Sequence, residues 1–506
     1  MSHIVGIDIG TSGIKIGMFD RHGSFQFYKY QSYELLFEQN RVELDLEDIW
    51  QVISGLLIET GQEVERLGGT VEGISISSFC HASVFLNQEG TPLMNGIMYM
   101  DRRGEEEVNQ LESALSPQAK ENVQNRIDPG MSSVTNLMWV RNHLPHVYEQ
   151  TAYWGHLSSF ILYKLTNQFV MDWTQASFTG IFNIETYNWS QERLTAAGIP
   201  SNLLPEVVDP AKKVGHVASL HPTIDGAMVV AGAADTACSS LAIGLKPQEM
   251  FESVGTSNVL TVCTDNPKEL DTRMLNRCHV IKNEWLSHGP MSTPGASIAW
   301  FYNEFLKNTE HGSKDRVLEE YSKSSAPGAS GVFFLPYMLG ERAPIWDGDA
   351  RGVFFGLHLN TSKADMLQAI YEGCSYGLKQ IYDIINTNYN LKDPHSFCSI
   401  GGGSKNVHWA QTKATILNAN INVKNVSETA VIGCCLLAAK ALGYISSFEE
   451  SSFQLKNSTY KTIKPKTELQ TFYQDLYQFF CEIYPTIKPL YRKHSLVYAE
   501  AEKTYS

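Results

Sequence analysis

The chain has no block of basic residues, no Cys-x-x-Cys pair and no unbroken apolar run of the roughly 18 residues that a bilayer span needs. Each absence closes a class of function. Basic residues are outnumbered, 40 Lys+Arg against 54 Asp+Glu for a formal net charge of −14, so neither nucleic acid nor an anionic membrane is an expected partner. A small substrate or a protein partner fits better. The nine cysteines are odd in number and scattered (Cys80, Cys238, Cys263, Cys278, Cys374, Cys398, Cys434, Cys435, Cys481), which signals neither a disulfide framework nor a zinc site. The first residues enter a strand pattern directly, without the basic and apolar regions of an export signal. A soluble chain in a reducing cytoplasm is the expectation.

What is present is size and repetition. A length of 506 residues exceeds one core and divides most simply into two domains, 1–246 and 247–506, at the Gly and Pro punctuation of Gly244 to Pro247. One phrase also occurs twice: Asp8-Ile9-Gly10-Thr11-Ser12-Gly13 and, about 245 residues later, Ser253-Val254-Gly255-Thr256-Ser257-Asn258. Each copy lies between apolar β-rich runs and reads as a tight hairpin. Such a turn offers backbone N–H groups and hydroxyls to an anion, and glycine lets the backbone approach it closely. Two copies imply two halves of one architecture and a nucleotide held between them. Asp8 is an acidic residue inside an apolar strand, where a hydrated Mg²⁺ on the nucleotide phosphates would offset the cost of its burial.

Along the chain, the first hairpin is followed by a third strand from Phe25 to Tyr30, a helical stretch from Leu46 to Leu67 and a strand from Val71 to Ser77. A meander followed by alternating strands and helices predicts a mixed sheet covered by helices, the ribonuclease-H-like plan. The second half repeats the order with a hairpin over Ser253 to Val262, a strand from Leu286 to Ser292 and a helix from Gly295 to Phe305. A long helix from Lys363 to Asn386 buries Met366, Ile370, Cys374, Leu378, Ile381 and Ile385 at three-to-four spacing. Two segments, Asn308 to Gly331 and Glu449 to Lys466, read as long loops.

Four further places carry candidate chemistry, each with a plainer reading beside it. Gly401-Gly402-Gly403 sits between a strand end and a helix through Trp409, either as bare backbone against a ligand at a helix N-terminus or as a packing turn. Asp235 follows an apolar strand that empties into small residues, either as the N-cap of the helix through Cys238 to Ala242 or as a general base in a crevice. His81, next to Cys80 at a strand end, is a core histidine or a ligand group. Asp101-Arg102-Arg103 is a solvated loop or a set of paired donors and acceptors for a polyol.

With these residues in place the chain, from Ile4 to about Tyr484, resembles the FGGY carbohydrate kinases, xylulokinase- and gluconokinase-like members above all. The most specific stretch is Gly352-Val353-Phe354-Phe355-Gly356-Leu357 followed by Asp365, Ala369 and Glu372. Supporting pieces run in the family's order: Asp8 with Gly10-Thr11-Ser12, Asp101-Arg102-Arg103, Asp172 with Ala176-Ser177, and Gly232 to Asp235. Gly255-Thr256-Ser257, Gly340 to Pro344 with Trp346, and Gly401 to Asn406 with Trp409 and Gln411 complete the set. The resemblance implies an α/β protein of two ribonuclease-H-like (actin-like ATPase) domains closing over a catalytic cleft, an N-terminal one that binds sugar and a C-terminal one that binds ATP. It implies Mg²⁺-ATP as phosphoryl donor and a small carbohydrate as acceptor. Carried over by position, Thr11, Ser12, Gly13 and Lys15 meet the ATP phosphates from one side, Thr256 and Gly295 from the other, and Gly402 with Asn406 the adenine end. Asp8 holds Mg²⁺ through water, Asp235 is the catalytic base, and Cys80, His81, Asp101, Arg102, Met131, Asp235 and Thr236 line the acceptor site. By the same analogy the chain forms a homodimer.

Substrate identity is where the pattern thins. Glycerol kinases place Arg-Glu where this chain has Cys80-His81, and xylulokinases place Met-His there, so a ketose such as xylulose leads and gluconate or another sugar acid or polyol follows. Asp235-Thr236-Ala237 replaces the Asp-Asn-Ala usual in xylulokinases, Tyr99 stands where they carry Trp, Met131 replaces a tyrosine of glycerol kinases, and Thr415 replaces an aspartate. Two other classes compete: a conformational ATPase of the actin or chaperone type, and a degenerate binding module. The retained Asp8, Gly-Thr-Ser turns and Asp235 weigh against the module. The shortness of the chain after Tyr484 weighs against a separate peptide-binding domain.

Overall fold

A computed structural model describes every residue except 39, 118, 120–124, 308–311, 451–458 and 506. Packing divides the chain into two units, one of Met1–Leu245 with Asn276–Leu286 and Glu428–Lys456, the other of Lys246–Leu275 with Ser287–Ser427 and Asn457–Ser506. The expected cut at 246/247 falls beside the first junction, but residues 276–286 and 428–456 group with the first unit. The division is therefore discontinuous in sequence.

The main sheet of the first unit has six strands in the order Lys213–His216, Met228–Ala234, Thr70–Ser78, Ser2–Gly10, Gly13–Asp20, Phe25–Ser32. The last three form the expected antiparallel meander, and Thr70–Ser78 joins Ser2–Gly10 in parallel. Ile4, Val5, Ile7 and Ile9 are all fully buried, because a central strand covered on both faces needs a continuous apolar run. One face is covered by the helix Leu46–Leu67, started by the Asp45 carboxylate accepting from the N–H groups of Glu47 and Asp48. Helices Asp235–Ile243 and Thr429–Leu442 pack together, and the latter lies on Ser2–Gly10 and Thr70–Ser78. A Cβ on Gly433 would come within 2.1 Å of the Cys238 carbonyl oxygen, so glycine sets the closeness of that helix pair.

A second, five-stranded antiparallel sheet in this unit, in the order Leu36–Glu38, Arg41–Leu44, Gly96–Met98, Ala82–Leu86, Tyr153–His156, was not anticipated from sequence. His81 immediately precedes Ala82–Leu86, Asp101 follows the turn after Gly96–Met98, and His156 ends Tyr153–His156.

The seven strands of the other sheet run in the order Leu275–Cys278, Trp285–Met291, Asn258–Thr264, Met250–Val254, Ser396–Ile400, Asn420–Lys424, Thr459–Ile463. Met250–Val254 pairs antiparallel with Asn258–Thr264 and parallel with Ser396–Ile400. The plan of the first sheet is repeated. Two expected loops are more ordered than their composition suggests. Within 308–331 the helix Lys314–Ser322 forms by burying Val317 and Leu318, while 308–311 lies outside the described residues. Within 449–466 the strand Thr459–Ile463 pairs with Asn420–Lys424, while 451–458 lies outside the described residues. Among the described residues no helix is long and apolar enough to cross a membrane.

Candidate active site

In the first unit, Gly10 pairs with Gly13, so Thr11 and Ser12 form a two-residue turn. Tyr33 and Tyr30 hold this tip by donating to the carbonyls of Gly10 (2.6 Å) and Ser12 (3.2 Å). Just before the turn, Asp8 is buried and accepts from the Ser77 hydroxyl at 3.1 Å. Burial pushes its pKa up to about 6; Lys15 opposes this and Asp235 adds to it. Lys15 stands opposite on the paired strand, with its Nζ 3.9 Å from Asp8 and 3.0 Å from Glu428. Burial works against the Lys15 ammonium, but the two carboxylates outweigh it and raise its pKa. Glu428, 413 places on and beside no motif, left no trace in the sequence reading.

Cys80, His81, Asp101 and Met131 come together. The Tyr99 N–H donates to the His81 carbonyl at 2.8 Å, and a Cβ on Gly130 would strike the Tyr99 carbonyl oxygen at 2.0 Å, so the three segments abut. His81 is fully buried, and its ring stacks on that of His156 with centroids 4.5 Å apart. Neither of its ring nitrogens completes a well-formed hydrogen bond. Burial and the neighbouring His156 lower its pKa well below the ordinary value, so the imidazole is neutral. His156 is itself satisfied, by Gln175 at 3.0 Å and Ser133 at 2.8 Å.

Asp101 is not a solvated loop residue. It is fully buried and its two oxygens accept from the Val42 N–H (2.7 Å) and from the Arg103 Nε (2.8 Å) and Nη2 (2.7 Å). Arg102 points away, exposed and paired with Glu105 at 2.6 Å. The structure thus joins Asp101 to Arg103 and leaves Arg102 apart. Only alternating exposure, invisible in a run of three charged residues, separates the two arginines.

Asp235 is the first residue of the helix Asp235–Ile243, whose N-cap position is taken by Ala234, so the capping reading fails on geometry. The carboxylate is partly exposed. Its Oδ1 accepts from the Thr236 N–H at 2.6 Å and the Thr236 hydroxyl at 3.1 Å. Among the described residues no hydrogen bond is made to Oδ2. Its charge reaches both Asp8 and the Cys80 thiol, which places it at the meeting point of the hairpin and the Cys80–His81 tip.

In the second unit, Thr256, Gly295, Gly402 and Asn406 line one cleft of about 1290 Å³. The second phrase makes a three-residue turn, with Val254 paired to Asn258 and the Gly255 N–H donating to the Ser257 carbonyl at 2.9 Å. The helix Pro294–Phe301 starts against it: a Cβ on Gly295 would lie 2.0 Å from the Gly255 carbonyl oxygen. The glycine triplet then divides by role. Gly401 has φ +92°, and a Cβ on Gly403 would lie 2.5 Å from Val254, so both are fixed by conformation or packing. A Cβ on Gly402 would meet nothing within 4 Å. Its bare backbone faces the cleft. Asn406 caps the next helix by accepting from the Trp409 N–H at 3.0 Å, and donates to the Tyr371 hydroxyl at 3.1 Å.

Comparison with known proteins gives concordant results. The model for the N-terminal domain of the FGGY family of carbohydrate kinases matches residues 3–242, and that for the C-terminal domain matches 250–442. A xylulose kinase of Staphylococcus xylosus is 28% identical over 495 residues, covering 96% of this chain and 100% of that protein. A gluconokinase of Bacillus subtilis is 28% identical over 476 residues, covering 91% of each. The crystal structure of a ligand-bound xylulose kinase from Lactobacillus acidophilus superimposes with a TM-score of 0.89 at 26% identity, covering 98% of this chain and 100% of that one.

Proposed function

The chain belongs to the FGGY family of carbohydrate kinases, and from that premise we propose that it transfers the γ-phosphoryl group of ATP to a hydroxyl of a small open-chain sugar, a ketose such as xylulose or an aldonate, with Asp235 as general base. The observation that carries this reading is the Asp235 carboxylate. It has one oxygen fixed by Thr236 and the other without a hydrogen bond among the described residues, and its charge reaches the Cys80 thiol next to His81. A base oriented through one oxygen and open at the other is suited to accept a hydroxyl proton.

In the proposed step the acceptor oxygen bonds to phosphorus, the bond from phosphorus to the bridging oxygen of ADP breaks, and the hydroxyl proton passes to Asp235 Oδ2. His81, neutral at physiological pH and set against the Gly130 and Met131 backbone, is suited to hydrogen-bond acceptor hydroxyls or a carbonyl. The hairpin N–H groups and the Thr11, Ser12 and Thr256 hydroxyls are suited to phosphate oxygens, and Lys15 supplies the local positive charge. The bare backbone at Gly402 would receive the flat face of adenine.

The donor set also suits Mg²⁺. Asp8 is a buried carboxylate whose pKa burial raises despite Lys15 at 3.9 Å, and Asp235 is near enough to add to it. Oxygen donors of this kind are what a hard divalent cation takes, directly or through water. When bound, the ion would neutralise charge on the transferring phosphoryl group.

The test is ADP release from Mg-ATP against a panel of ketoses, aldonates and polyols, beside Asp235→Ala. One or more acceptors should stimulate release strongly, and Asp235→Ala should lower kcat by about 10²–10⁴-fold. Release that no acceptor stimulates and that ignores Asp235 would instead support a conformational ATPase.

A further inference from the structure

Arg277 entered neither the sequence motifs nor the mechanism. It is 5% exposed, with its guanidinium stacked over the Phe178 ring at 4.3 Å and its Nη1 directed at the Cys80 sulfur at 3.8 Å. Its Nε has no hydrogen-bond partner. Among the described residues it forms no ion pair, so its five donors meet one weak thiol acceptor and one aromatic face.

The neighbourhood offers no substitute anion. Burial raises the pKa of the Cys80 thiol, which stays neutral beside the guanidinium. Asp172 feels Arg277 electrostatically, but its Oδ1 is engaged by the N–H groups of Thr174 and Gln175 and by the Thr174 hydroxyl. Burial also pushes the pKa of Asp172 up to about 6.

The position is nonetheless held firmly. The Asn276 N–H donates to Asn125 Oδ1 at 2.7 Å, and Asn125 Nδ2 returns a bond to the Asn276 carbonyl at 2.6 Å. The Cys278 N–H donates to the Ser177 hydroxyl at 3.1 Å, and Trp173 Nε1 donates to the His279 carbonyl at 2.7 Å. Backbone on both sides of Arg277 is thus clamped. A buried cation with idle donors, fixed in place beside the Cys80–His81 tip, is incomplete without an anion of matching shape.

We propose that Arg277 is a specificity-determining residue that binds the carboxylate of an aldonate, so that the acceptor of this kinase is a sugar acid rather than a neutral ketose. This rests on the acceptor site proposed above and chooses between its two substrate classes. The planar guanidinium fork matches a carboxylate oxygen pair, while Asp235 serves a hydroxyl elsewhere along the same open chain. A neutral ketose would leave the charge matched only by hydroxyls.

The deciding experiment compares aldonates of five and six carbons with the ketoses and alditols of equal length, by kcat and KM and by calorimetric binding, in the wild type, Arg277→Met and Arg277→Lys. The wild type should favour an aldonate over the matching alditol by about a hundredfold in kcat/KM. Arg277→Met should collapse that ratio mainly through the aldonate KM, and Arg277→Lys should recover part of it. A wild type that phosphorylates a ketose as well as or better than every aldonate overturns the inference and leaves the kinase reading standing. If no acceptor is phosphorylated, the kinase reading fails, and calorimetry decides the inference alone. Aldonate binding by the wild type that is lost in Arg277→Met sustains it, and no aldonate binding overturns it.

Discussion

At the scale of the residue, the three consecutive glycines make a sharp contrast. Gly401 sits at φ +92° with the Val254 carbonyl oxygen 2.5 Å from any added Cβ, whereas Gly402 has open space around it. Gly401→Ala is therefore expected to cost about 1–3 kcal/mol in urea unfolding. Gly402→Val should leave the unfolding midpoint nearly in place and weaken nucleotide binding by at least about tenfold, read by calorimetry. Equal destabilisation by both would mean that Gly402 is a packing residue after all. Sequence could single out the triplet but not rank its members, because the ranking depends on Val254, in a strand far earlier in the chain. The same limit hid other residues. Asp8, inside an apolar strand, and Asp235, directly after one, stand out in the sequence because a carboxylate there has no local partner, while Arg277 and Glu428 stand in ordinary polar stretches and gain their contacts only from what folds against them.

At the scale of the element, the carboxylates of the stretch that most specifically marks the family make structural ties. Asp365 closes a capping box with Ser362 at the start of the helix Lys363–Asn388, and also accepts from Ser325 and Ser330. About two turns later Glu372 accepts from the Gly328 N–H, Gln368 and the Tyr473 hydroxyl, the last carried by the helix Gln470–Tyr505. These two carboxylates tie the 325–330 loop to the long helix. The apolar stripe on that helix was plain from sequence, since Ile370, Cys374, Leu378, Ile381 and Ile385 are all fully buried as the spacing predicts, while Met366 at its start is only partly buried. The polar ties were not, because Ser325, Gly328, Ser330 and Tyr473 come from a loop and a helix elsewhere in the chain. Glu372 also has a thermodynamic signature. Burial raises its pKa to about 7 from an ordinary 4.5, so between those values the folded state holds a proton that the unfolded state releases. Stability from this group is then greatest at low pH and is lost as pH rises through 7. Glu372→Gln removes the titration and keeps the shape. Urea unfolding at pH 5 and pH 8 should show the wild type losing up to about 3 kcal/mol more than the variant between the two. Equal losses would contradict the buried, proton-holding Glu372.

At the scale of the whole molecule, the repeated phrase announced two similar sheets, and the packing units draw on both halves of the chain. The first unit takes back Thr429–Leu442, a helix whose residues from Ala430 to Ala439 are all buried. Nothing in its sequence could say which sheet it covers, since a helix apolar all round fits any apolar face. The magnitudes make the return consequential. Val431, Ile432, Leu436 and Leu437 alone represent about 1.5–3 kcal/mol each in burial, which together rivals the roughly 5–15 kcal/mol net stability of a typical domain. A fragment ending at Leu245 exposes the face of Ser2–Gly10 and Thr70–Ser78 that this helix covers. That fragment is expected to be a loosely packed or aggregating species, with weak near-ultraviolet circular dichroism, dye-binding apolar surface and no cooperative urea transition. Joining residues 428–450 to it through a flexible linker should restore a cooperative transition. If the fragment ending at Leu245 unfolds as cooperatively as the joined form, the helix is dispensable to the first unit, and the linear division at 246/247 describes the folding units after all.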